Sequence, residues 1–140
     1  MLQEHPELPC SQARPITLAG REAAREFFST CFAAVDPGVE NLFVAHLDER
    51  AQCIHLSRHE GDATGAKMPL RTILLDAAAH NSKGIVLAHN HPSGDATPSV
   101  SDRQATRRLA HASEAIDLTL VDHLVFGGGE CTSFRWMGLL

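Results

Sequence analysis

The stretch that most restricts the fold is Gly-Ile-Val-Leu-Ala-His at residues 84–89. It is continuously apolar and too short for a helix on its own, so it reads as a buried central strand. The other segments are placed around it. Residues 17–34 carry Leu18, Ala23, Phe27, Phe28, Cys31 and Phe32 at helical intervals and stop at Asp36-Pro37-Gly38, which predicts a helix. Residues 41–48 and 52–58 suit two short strands joined by Glu49-Arg50-Ala51, and residues 61–66 read as a loop. Residues 69–81 open on Pro and close on Asn, the punctuation of a second helix. Residues 99–115 predict a third helix, with Ser99 as cap and Asp102 three positions on. Residues 117–126 and 131–136 predict strands on either side of Gly127-Gly128-Gly129. The order α-β-β-α-β-α-β-β implies an α/β (α+β) fold: a single mixed sheet flanked by about three helices.

The 140 residues suit one domain, expected over 15–140, behind a polar, proline-bearing tail at 1–14. A net charge of −5 speaks against a broad phosphate-binding surface. The local basic cluster Arg103, Arg107 and Arg108 has Glu114 and Asp117 nearby and reads as a solvated face. Cys10, Cys31, Cys53 and Cys131 form no CxxC pair, which predicts neither a disulfide framework nor a cysteine zinc site. With no signal peptide and no long apolar run, a cytoplasmic protein away from membranes is expected.

The chemistry concentrates where the central strand ends. In an extended chain residues i and i+2 face the same side, so His89 and His91 aim their imidazoles together. Pro92-Ser93-Gly94-Asp95 turns the chain back, and Asp102 falls in the first turn of the next helix. Two histidines and a carboxylate are a sound donor set for one Zn²⁺, with a fourth tetrahedral position left for water. Either piece alone would be bland: HxH pairs are common, and Ser99 with Asp102 is a helix cap. The combination H-x-H-P, six residues, S-x-x-D, placed strand–loop–helix, is far more specific.

The run "HNHPSGDATPSVSD" resembles the JAMM metal motif of the JAB/MPN fold, and "LAHNHPSGD…PS..D" is similar in particular to its RadC-like branch. The likeness runs from about residue 36 to the end, through "LVDHLVFGGGECTSFRWMGLL", about three quarters of the chain. It implies a JAB/MPN-like (cytidine-deaminase-like) architecture and a zinc hydrolase whose known relatives cleave isopeptide bonds, with an unidentified protein or peptide as substrate. It also implies a glutamate near the start of an earlier strand, carried onto Glu40, directly before "NLFVAHLD". A carboxylate there accepts a proton from metal-activated water and returns it to the leaving amine. Glu49 and Glu60 are weaker rivals. Ser99 matches the family serine, whose hydroxyl donates to an oxyanion or caps the helix.

The remaining residues get plainer readings. Asn90 should point away from the metal, and Ser93 and Asp95 should shape the loop. His46, His55, His80 and His111 are expected to be structural or exposed. His123, in the pair Asp122-His123, is assigned packing ahead of a role behind the metal ligands. Two departures from the family stand out. About forty residues precede Glu40, short for the DNA-binding-like segment of many relatives, and Leu70-Arg71-Thr72 stands where relatives tend to have Pro-Arg-Glu. The competing functions are a DNA-repair-associated or nucleic-acid-processing factor, with nucleic acid disfavoured as a partner, and a non-catalytic metal-stabilised module.

Overall fold

The computed structural model describes residues 16–61 and 68–140, and the apolar run forms the strand Gly84–Asn90, buried at every position. In chain order the elements are α1 (Arg21–Ala33), β1 (Asn41–Leu47), β2 (Cys53–Glu60), α2 (Leu70–Ala79), β3 (Gly84–Asn90), α3 (Val100–Glu114), β4 (Thr119–Gly127) and β5 (Glu130–Ser133). They build one mixed five-stranded sheet in the order β2-β1-β3-β4-β5. β3 pairs antiparallel with β1 and parallel with β4, and the β3–β4 crossover is α3. The predicted tail and most of the predicted 61–66 loop lie outside the described residues.

Strand alternation divides the core in two. Val86 and Ala88 of β3 join Phe43, Ala45 and Leu124 against α1, which contributes Phe27, Phe28 and Cys31. Ile85 and Leu87 face the other way and join Val44, Ile73, Ala77 and Leu109 beneath α2 and α3. Each fully buried Leu, Ile or Phe contributes roughly 1.5–3 kcal/mol against exposure, so the apolar faces of β3 anchor both layers.

Three local expectations need adjustment. The first helix starts at Arg21, because Thr17 bridges Gln52 and Gly20 sits at φ 92. The last strand stops at Ser133, whose carbonyl and hydroxyl accept the N–H groups of Met137 and Trp136 and curl the chain. Cys53 is disulfide-bonded, against the expectation of no disulfide, while Cys31 and Cys131 are free thiols. Among the described residues no helix is long and apolar enough to cross a membrane.

Candidate metal centre

The parallel β3–β4 pair sends two carboxyl ends to the same edge of the sheet, and antiparallel β1 brings its amino end there too. His89 is the penultimate residue of β3, and His91 continues the ladder by donating its N–H to the Phe126 carbonyl at 2.8 Å. The loop that follows is held by its own side chains, as expected for Ser93 and Asp95. Thr97 N–H donates to Asp95 Oδ1 at 2.9 Å, and Asp95 N–H to Ser93 Oγ at 3.3 Å. The glycine turn after β4 presses on this loop: a Cβ on Gly127 would stand 3.0 Å from the backbone of Gly94, Asp95 and Ala96. Asp102 is placed by a capping box: its N–H donates to Ser99 Oγ at 3.0 Å, and its Oδ2 accepts the Ser99 N–H at 2.9 Å.

These elements bring three donor atoms to one point. His89 Nε2 and His91 Nε2 stand 2.9 Å apart, and Asp102 Oδ2 lies 3.3 Å from the first and 3.0 Å from the second. Glu40, just before β1, offers a carboxylate oxygen within 4.8 Å of ring nitrogens of both histidines. Burial pushes the Asp102 carboxyl upward, but the hydrogen bond and charge of His89 and the bonds from Ser99 outweigh it and hold the group well below the usual carboxylate range.

The hydrogen-bond network assigns the imidazole tautomers. His91 Nδ1 meets the Asp95 carbonyl at 2.7 Å and so donates, which turns Nε2 toward the cluster. The Thr106 hydroxyl donates to the Asp102 carbonyl at 2.6 Å, so its oxygen accepts from His123 Nδ1 at 2.7 Å. His123 Nε2 then accepts from His89 Nδ1 at 2.7 Å, which leaves His89 Nε2 as the ring atom that faces Asp102. Burial drives the His123 pKa well below its ordinary value, which keeps that ring a neutral relay of donors. Two imidazole Nε2 atoms and a carboxylate oxygen therefore face one another at about 3 Å, an arrangement that a shared proton or a cation holds together. Donor atoms around a tetrahedral Zn²⁺ are about 3.3 Å apart for bonds of 2.0–2.1 Å. The spacing and the donor types fit that ion.

Three participants were not recognised for what they do here. His123 does stack on Phe134, with ring centroids 4.6 Å apart, but it also orients His89, so packing is only half of its role. Thr106 completes the relay without any sequence signal. Asn90 points to the opposite sheet face as expected, where its side chain bonds the backbone on both sides of Glu40.

A cavity of about 320 Å³ opens beside the cluster, lined among others by Glu40, His59, Glu60, Met68, His89 and Asp102. Ser101 lines it, whereas Ser99 stands at the helix cap. Of the rival glutamates, Glu60 is paired with Arg58 at 3.1 Å, and Glu49 lies in the exposed β1–β2 turn. Arg103, Arg107 and Arg108 are exposed, in keeping with a solvated face.

A mixed sheet with a His-x-His strand end facing a capped helix defines a JAB-type domain. The RadC-like JAB domain family matches residues 18–139, and the chain belongs to that family. It is 35% identical over 126 residues to UPF0758 protein YeeS of Escherichia coli, covering 89% of this chain and 84% of that protein. With YfjY of the same organism it shares 32% identity over 126 residues, covering 89% and 78%. With UPF0758 protein STH371 of Symbiobacterium thermophilum it shares 38% identity over 128 residues, covering 91% of this chain and 54% of that protein. The chain thus spans about half the length of some curated relatives and most of others.

Proposed function

We propose that this domain is a zinc-dependent hydrolase that cuts an amide bond, in a peptide or an isopeptide linkage of a protein substrate. His89, His91 and Asp102 would hold one ion at this centre. When bound, zinc supplies a Lewis acid that brings the pKa of a water ligand to about 7. Glu40 takes the proton from the attacking water and delivers it to the leaving amine. Ser99, whose Oγ accepts from Asp102 and retains its own hydrogen, steadies the oxyanion. His123 and Thr106 hold His89 in the tautomer that ligates. The cavity admits the scissile segment from the side of β2 and α2.

The observation that carries this reading is the convergence of two imidazole Nε2 atoms and a carboxylate oxygen within 2.9–3.3 Å, next to a second carboxylate on the wall of an open cavity. The test pairs metal analysis with turnover of peptide and isopeptide-linked substrates. Glu40→Gln should keep its zinc and lose activity by about 10²–10⁴-fold. A Glu40→Gln protein as active as the wild type, or a wild type that hydrolyses no amide substrate while fully loaded with zinc, would refute it.

A further inference from the structure

A second group of histidines lies on the same sheet face as the candidate centre but at the other end of β1. Leu42 pairs with His89, whereas His46, four residues further along, pairs with His55 of β2. At 3.3 Å per residue the two ends are separated by about 13 Å, too far to share an ion. His46 is fully buried, and its Nε2 has no hydrogen-bond partner. Its Nδ1 is engaged by the Ser82 hydroxyl at 3.0 Å. Whichever of those two groups donates, Nε2 is left as a buried orphan, an arrangement that destabilises the fold unless something binds it.

The side chains around His46 are of metal-ligating types. His46, His55 and Asp76 each offer a ligand atom, all within 4.8 Å of one another. The His46 and His55 rings are 5.2 Å apart. His80, the residue that caps α2 one turn after Asp76, stacks on His55 at 3.8 Å with 12° between planes and anchors its own Nδ1 to the Asp76 carbonyl at 2.8 Å. Burial lowers the pKa of His46 to about 4 and lowers that of His55, so both rings are neutral near pH 7 and carry a lone pair.

We propose that His46, His55 and Asp76 form a second transition-metal site of the zinc class, independent of the first, in which the orphan Nε2 of His46 is a ligand. Two imidazoles and a carboxylate suit Zn²⁺ better than the hard cations, which take oxygen. The ion ties the β1–β2 hairpin to α2. The opposite, amino-terminal edge of α2, with Met68 and Pro69, walls the cavity beside Glu40, so the site steadies that wall.

The test uses the full chain, stripped with a chelator and titrated with Zn²⁺ alone while bound metal per chain is counted. Wild type should take two equivalents, and both His89→Ala/His91→Ala and His55→Gln one. The variant combining all three changes should take none. His55 and Asp76 are partly exposed, so His55→Gln and Asp76→Asn are suited to fold; circular dichroism checks this. In the His89→Ala/His91→Ala background, Zn²⁺ should raise the unfolding midpoint, and Asp76→Asn should abolish the rise. A stoichiometry that His55→Gln leaves unchanged overturns the proposal. So does a His89→Ala/His91→Ala protein that binds no zinc. If the first centre is instead the one that fails, wild type takes one equivalent, His89→Ala/His91→Ala keeps it and His55→Gln loses it.

Discussion

Asn90 grips the chain on either side of Glu40. Its Oδ1 accepts the Asn41 N–H at 2.7 Å and its Nδ2 donates to the Val39 carbonyl at 3.0 Å. Glu40 precedes the first paired residue of β1, so this amide, with the Gly61 N–H that donates to the Glu40 carbonyl at 2.8 Å, sets its approach to the histidines. Asn90→Ala should therefore separate positioning from ligation. Zinc content should stay at the wild-type level while kcat falls by up to about 100-fold, as expected for a carboxylate displaced by about 1 Å. The orphaned Asn41 N–H should cost about 1–3 kcal/mol of stability. Parallel metal analysis, turnover and urea unfolding read these effects; full activity would show that Glu40 needs no such clamp.

His123→Phe preserves an aromatic ring against Phe134 but removes the acceptor for His89 Nδ1. Thr106→Val removes the next link while keeping the side-chain shape. Each change should weaken zinc binding by about 10–100-fold, the usual cost of losing a hydrogen bond behind a metal-bound imidazole. Competition against a chromophoric chelator measures it. Equal affinity in both variants would reduce His123 to packing.

Gly127→Ala puts a methyl carbon 3.0 Å from three backbone atoms of the 94–96 segment. That backbone must move, and the Asp95 carbonyl that orients His91 moves with it. The expected result is a loss of about 1–3 kcal/mol in stability, together with weaker zinc binding. Thermal unfolding with and without zinc reads both.

Burial pushes the Cys31 thiol up to about 12. In the unfolded chain this thiol ionises near its ordinary value of 9.0. Stability is therefore complete below that pH and declines as pH rises toward 12, because only the unfolded chain releases the proton. At about pH 10.5 the loss from this one group is about 2 kcal/mol. Urea midpoints compared at neutral and alkaline pH should fall less for Cys31→Ala than for wild type. An identical alkaline slope in the two proteins would show that Cys31 ionises freely in the fold.

Much of the architecture was legible because it rests on short-range signals. The buried run at residues 84–89, the Pro and Asn flanking α2 and the Ser99–Asp102 cap each report on a few neighbouring residues, and each element formed close to where its pattern placed it. The boundary shifts came where a longer-range contact intervened: Thr17 paired with Gln52 instead of extending α1. The gathering of His89, His91 and Asp102 was readable for the same local reason, since strand alternation and a short loop largely set where they meet.

The sequence alone thus determined the strand–loop–helix unit and the chemical types at its junction, because strand period, turn residues and capping act over a handful of bonds. Only the tertiary structure decided that His123 stands behind His89, that Asn90 holds Glu40 in place, and that the unremarkable His46 meets His55 and Asp76 with a nitrogen unpartnered. Those meetings depend on the strand order β2-β1-β3-β4-β5, its registers and the α2 and α3 crossovers, which are settled by how the whole core is buried.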